Sequence, residues 1–264
     1  FTTHSNFGGS ASLAAGQHLF GLQRFFTNDR HVGATPAKYH GFVPTGTPEF
    51  KHPLYEEFSC SDEANPKYTG LLRLWDFSRD PEAFAVEELR RPVAERERTA
   101  LGHIRATNPH YFDNFVLRSQ AHDREYGLNF SEVFEKHPDL VRLTRYVGTI
   151  SDLPADRRGD IAKLLLDRIA ELHRVKLAHR DIDRHSIWID ERRSSVVLSG
   201  FGASHFPDVE TIGDKRAKLL AGGNRTPEDT AQGPVASPFR QDVFLSAAAV
   251  FGILTGRRIQ LCLL

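Results

Sequence analysis

Apolar residues recur at helical spacing over residues 82–106, where Ala85, Leu89, Val93, Leu101 and Ile104 stand among charges. The pattern predicts a helix that Asn108 and Pro109 end. A second helix is predicted over Gly159–Leu172. Ile161, Leu164, Leu165, Ile169 and Leu172 share one face there, and Asp160 suits the positive end of the helix dipole. A third, Ala-rich and apolar, is predicted over Asp242–Leu254, buried on most sides. Short apolar runs at Leu71–Phe77, Phe112–Leu117 and Leu140–Val147 read as strands. Ser186–Ile189 and Ser195–Leu198 read as a hairpin around a polar turn. Residues 21–60 mix aromatics with Pro and Gly and suit short strands and loops. Residues 203–240, rich in Gly, Pro and Asp, suit a long functional loop.

This order, strands with one helix and then mostly helices, predicts an α+β fold. The expected division is a leader or linker over 1–20, a β-rich lobe over 21–147 and a helical lobe over 148–264, with a hinge near Val147–Ser151. The Gly/Ser-rich start and the absence of Met suggest a piece of a longer multidomain protein.

Composition narrows the chemistry. Lys+Arg and Asp+Glu are both 34, so nothing argues for bulk attraction to nucleic acid or to an acidic membrane. No apolar run approaches the ~20 residues that span a bilayer. Cys60 and Cys262 stand far apart with no C-x-x-C pair, which fits a reducing, cytoplasmic setting and neither a disulfide scaffold nor a zinc site. Thirteen histidines are scattered without metal-ligand spacing, so no metal ligand is assigned.

The informative motifs lie at 159–256. Leu172-His173 is followed by His179-Arg180-Asp181, then by Leu198-Ser199-Gly200-Phe201-Gly202, Thr226-Pro227-Glu228, and Asp242-Val243-Phe244 leading to Leu254-Thr255-Gly256. In this order and spacing they resemble the His-Arg-Asp, Asp-Phe-Gly and Ala-Pro-Glu segments of eukaryotic-type protein kinases, and the buried helix after them. Upstream the match is looser. Leu71-Leu72-Arg73-Leu74-Trp75 is similar to the Val-Ala-Ile-Lys strand with Arg73 for Lys. Glu97 is the candidate for the helix glutamate that pairs with that cation, and Glu95 is the alternative. The resemblance covers roughly residues 40–258. It implies a bilobal kinase-like fold, truncated after the long buried helix of the second lobe.

The resemblance also implies roles. Asp181 matches the catalytic base. Arg73, Glu97, Ser186 and Gly200 match nucleotide and metal positions. Gly200 stands for the metal-binding Asp, Ser186 for the Asn, and Arg73's planar fork for an ammonium. No G-x-G-x-x-G precedes Arg73; Gly41 and Gly46 are too sparse for a phosphate loop. ATP would be held weakly at best, and magnesium is left open. The leading expectation is therefore a pseudokinase, a regulatory or protein-interaction module whose partners are proteins or flanking domains. An active but atypical Ser/Thr kinase using Asp181 as base comes second, with Asp183 or Asp190 supplying a relocated carboxylate. A purely architectural domain comes third. Residues 21–80 also loosely resemble bacterial kinase-like domains fused to nuclease-related or helicase modules, some in phage defence.

Several residues read more simply as structural. His179, Phe201 and Gly202 suit a packed column, Arg180 a loop organiser, and Glu228 an ion-pair partner. Asp242 suits an acceptor of backbone hydrogen bonds from the His179 loop. Trp75 and Trp188 suit core anchors. Glu95-Arg96-Glu97-Arg98 suits a solvated helix face. A cleft blocked by side chains would favour the architectural reading, and an open one nucleotide binding.

Overall fold

Antiparallel strand pairing shapes the first half of the chain. In the computed structural model, which describes residues 37–150, 152–190, 192–207, 226 and 237–257, β1 (Phe42–Pro44), β2 (Phe50–Lys51), β3 (Tyr55–Asp62) and β4 (Thr69–Asp76) are antiparallel neighbours. Helix α1 (Glu87–Thr107) follows, then α2 (Pro109–Phe115), β5 (Ser119–His122) and β6 (Asn129–Glu135). The strands close a six-stranded antiparallel sheet in the order β1-β3-β4-β6-β5, with β2 also on β3. Strand β4 is central and buried from Gly70 to Asp76. The interior therefore receives whatever side chains it carries, charged ones included.

The second half is mostly helical. Strand β7 (Leu140–Arg142) leads into α3 (Leu143–Ile150) and then α4 (Ala155–Arg174). Strands β8 (Ile187–Asp190) and β9 (Ser195–Leu198) join β7 in a three-stranded sheet, and α5 (Pro238–Thr255) packs on α4. The largest apolar cluster joins α1, α2, α4, α5, β8 and β9, with Ile104, Leu165, Leu172, Leu198 and Phe201 at its centre. The fold is mixed α+β, with the antiparallel sheet first and helices later.

Three segments differ from the sequence pattern. Phe112–Leu117 was expected as a strand, but most of it lies in α2. Asn108 Oδ1 accepts from Tyr111 N–H at 3.1 Å and Pro109 opens the helix, so a cap and a fixed φ override the aromatic strand preference. Leu140–Val147 divides into β7 and α3, and because β7 pairs with β8 the chain passes between the sheets at 136–139, ahead of the expected hinge. Helix α5 starts four residues before Asp242, at Pro238. It is not buried on most sides: Val243 is 63% exposed, and Phe251 and Leu254 are also exposed. Among the described residues α5 packs chiefly through Leu245, Ala249 and Ile253, the stripe facing the core. No helix among the described residues is long and apolar enough to cross a membrane. The leader at 1–20, Cys262, Glu228 with its Thr226-Pro227-Glu228 motif, and most of the 203–240 loop lie outside the described residues, although Thr226 itself is buried.

Gly70 shows how closely the central strands approach. A Cβ there would sit 2.9 Å from the Phe134 carbonyl oxygen and 3.0 Å from Cys60 Sγ. Gly70→Ala is expected to lower stability by about 1–3 kcal/mol in urea unfolding, through overpacking against a backbone atom that cannot rotate away.

Candidate functional site

The register of β3, β4 and β6 sets three charges side by side. Glu57 faces Arg73, and Arg73 faces Glu132, on neighbouring strands. Residues directly opposite share a face, so this row points toward α1. All three are buried, as is Glu97 on α1. A buried guanidinium requires carboxylate partners, and Arg73 has them. Its Nη1 donates to Glu97 Oε2, its Nε donates to Glu57 Oε1 at 2.9 Å, and its Nη2 lies 2.8 Å from the same oxygen. Glu57 Oε2 accepts from Arg142 Nη2 at 2.6 Å. Burial would raise the Glu57 carboxyl, but Arg142 and Arg73 outweigh it and hold the pKa down at about 2. The Arg73 guanidinium also stands over the rings of Tyr55 and Phe134, at 4.8 and 4.7 Å.

Glu97, rather than Glu95, is the helix carboxylate at this point. Glu95 accepts from the Tyr126 hydroxyl at 2.5 Å. Arg96 and Glu97 are both buried, with Arg96 donating to the Ser204 carbonyl at 2.7 Å. The run 95–98 is thus not a solvated face: one turn of α1 meets the sheet and the Phe201 turn at once. Glu97 Oε1 accepts from Gly200 N–H at 2.8 Å, so the carboxylate beside Gly200 comes from α1, not from Asp183 or Asp190. Gly200 itself has φ 81°, a left-handed conformation that suits glycine.

The Asp181 loop is built by Asp242. The carboxylate of Asp242 is buried at the start of α5 and accepts from His179 N–H at 2.7 Å and Arg180 N–H at 2.6 Å, and His173 Nε2 lies 3.0 Å away. Those bonds help hold Arg180 at φ 65°, where its Nε donates to Gln241 Oε1 at 2.8 Å. The His179 ring donates to the Ser199 carbonyl at 3.0 Å and packs on Phe201, centroids 4.6 Å apart. Gly202 continues the short 3₁₀ turn that Phe201 begins. The Ser186 hydroxyl is used within its own loop, its single O–H shared between the carbonyls of Asp181 and Asp183 while its oxygen accepts from Asp183 N–H at 3.0 Å. Asp183 lies 3.3 Å from His185 Nδ1, and Asp190 Oδ1 accepts from Arg193 N–H at the hairpin turn.

Above Asp181 the β2–β3 connection folds inward. The turn that covers the loop is His52-Pro53-Leu54, not the Gly41–Gly46 stretch, and it contains no glycine. His52 and Leu54 are buried. Phe50 stacks on His185 at 4.6 Å with the planes 4° apart, and His52 stacks on Tyr55 at 4.3 Å. His185 Nε2 lies 3.4 Å from Asp181 Oδ2, an ion-pair distance rather than an aligned hydrogen bond. Beside this, Leu71, Phe134, Leu140 and Trp188 form one apolar cluster joining both sheets, and Arg142 lies over the Trp188 ring at 4.3 Å. The space between the sheets is thus occupied by side chains of the protein at these positions.

Sequence reasoning missed Glu57, Arg142, Phe50, His52 and His185. One signal was available: Arg73 in a strand read as buried demands acidic neighbours, and Glu56-Glu57 in the preceding strand offers one on each face. No protein-family model matches the chain, and no curated protein matches it in sequence.

The two histidines titrate in opposite senses. Burial works against a charged His185 ring, yet Asp181 and Asp183 outweigh it and raise the pKa from 6.5 to about 9. Burial lowers His52 to about 4, and His185 and Arg73 add to that against the pull of Asp181 and Glu57. A raised pKa gives stability that is complete below 6.5 and lost as pH rises through about 9; a lowered one gives stability that is complete above 6.5 and lost as pH falls through about 4. Urea unfolding against pH should therefore peak near neutrality. His185→Gln should flatten the alkaline limb and His52→Gln the acid limb, each by up to about 3 kcal/mol. An alkaline limb unchanged in His185→Gln contradicts the assignment.

Proposed function

We propose that this chain is a protein-kinase-like module that does not transfer phosphate and that acts by binding protein partners or flanking domains of its own chain. Several features support the kinase-like part. The sheet order places α1 beside the central strand with Glu97 on Arg73. A loop carrying His179-Arg180-Asp181 is followed by a hairpin and by Gly200-Phe201-Gly202. Asp242 organises that loop from the start of a long helix.

The observation that carries the non-catalytic part is the commitment of Arg73. Phosphoryl transfer needs a strand cation that, besides its helix glutamate, can still meet phosphate, and carboxylates free to hold metal. Here the cation is buried between Glu57 and Glu97. A phosphate entering beside it would meet the Glu57 carboxylate. Freeing Arg73 would leave two buried carboxylates short of a partner, a change worth about 3–5 kcal/mol for a broken buried pair. The other positions are spent as well: Gly200 has no side-chain ligand, the Ser186 hydroxyl serves its own loop, and Asp181 faces His185. Leu71 and Trp188, one from each sheet, are packed in one apolar cluster.

Thermal denaturation with millimolar ATP, with and without magnesium, tests this reading. The expected shift is below about 1 °C in both cases, because a ligand that does not bind adds no linkage stability. A magnesium-dependent rise of several degrees, together with phosphate transfer to a generic protein substrate that Asp181→Asn abolishes, would establish the atypical kinase instead.

A further inference from the structure

A cavity of about 420 Å³ opens where the two sheets meet, and neither Asp181 nor Arg73 nor the groups paired with them line it. Its floor is apolar: Val116, Leu117, Leu140 and Val197, all largely buried. Its rim is aromatic and of mixed charge, with Lys67, Arg118, Lys136 and Arg193 set against Asp113, Glu135 and Asp190. Lys67 and Tyr68 come from the β3–β4 connection, Arg118 from the α2–β5 connection and Arg193 from the β8–β9 turn. Tyr68 is 39% exposed, and the Arg118 and Arg193 side chains are 37% and 69% exposed.

The acids in the lining are already engaged by these bases. Arg118 Nη2 donates to Glu135 Oε2 at 2.6 Å, and its Nη1 lies 3.6 Å from Asp113. Asp190 Oδ1 accepts from Arg193 N–H at 3.0 Å, with Arg193 Nε 3.7 Å from Oδ2. Each guanidinium has five N–H donors in a fork, so both arginines keep donor capacity facing solvent. A volume of this size fits a ligand or anchoring side chains. Exposed tyrosine and arginine around an apolar floor is the composition that dominates protein–protein hot spots.

We propose that this cavity is a docking site for an acidic peptide segment of a protein partner. A bulky apolar residue fills the floor, and flanking carboxylates pair with Arg118 and Arg193. The inference goes beyond the closed cleft and holds whether or not nucleotide enters it. The floor residues Leu117, Leu140 and Val197 also belong to the cluster that contains Leu71 and Trp188, so an occupant would pack directly against the joint between the sheets.

The test uses fluorescence anisotropy with the whole chain. The probes are a fluorescein-labelled Glu-Asp-Leu-Phe-Glu-Asp peptide, the same peptide with its acids changed to Lys, and the same peptide with Leu-Phe changed to Gly-Gly. The expected result is saturable binding of the first probe alone, weakened by salt. The double variant Arg118→Glu/Arg193→Glu should weaken it at least about tenfold. Tyr68→Ala, at a 39% exposed position, should weaken it separately. A melting temperature near wild type checks that each variant is folded. Absence of binding by the wild type, equal binding of the lysine probe, or binding unchanged in both variants would overturn the proposal. No nucleotide, metal or phosphate transfer enters these readouts, so failure here is distinguishable from failure of the non-catalytic reading.

Discussion

A guanidinium in the middle of a buried strand dictates much of what surrounds it. Arg73 cannot reach water, so the protein brings carboxylates to it from β3 and from α1. Glu57 then requires a second cation, and Arg142 arrives from β7 in the other sheet. Glu97 has one oxygen left over, and Gly200 N–H meets it. One unavoidable charge therefore links the first sheet, the helix, the second sheet and the turn after β9. Such a network carries a high desolvation cost and is a weak source of net stability. What it supplies is a single geometry, because each member loses its partner if any other moves.

Asp242 plays the same part on a smaller scale. It holds two backbone N–H groups of a loop that includes a left-handed arginine. The two centres, Arg73 with its acids and Asp242 with its amides, meet at the turn carrying Gly200 and Phe201. The His52–Leu54 connection lies beside this junction, and Phe50, in the strand before it, stacks on His185.

How much of this was legible depended on the range of the interactions. The Asp242 acceptor, the His179–Phe201 packing and the burial of Trp188 follow from residues whose roles are set by short motifs, and they stood out in the sequence. The Arg73–Glu97 pair was also legible, through the resemblance of Leu71–Trp75 to a strand whose cation pairs with a helix glutamate, with Glu95 as the alternative. Glu57 and Arg142 were not. Which of two adjacent glutamates points inward depends on strand register, and register is a property of the paired chains rather than of either one. Phe112–Leu117 was misread because its aromatic content suggested a strand while the cap at Asn108 and Pro109 decided otherwise. In α5 the sequence is apolar all round, and no local rule separates the stripe that meets α4 from the stripe that does not.

Lys136 lies in the segment that carries the chain from one sheet to the other. Its ammonium is 3.2 Å from Glu49 and 2.8 Å from Ser59 Oγ, and it stands 5.2 Å over the Trp188 ring. The same residue that would serve as a pivot is thus bolted to both plates it joins. A pivot fastened in this way transmits load instead of yielding to it. Through that one ammonium the Trp188 ring of the second sheet and the Glu49–Ser59 side of the first share a tie, as a brace spans two members of a frame.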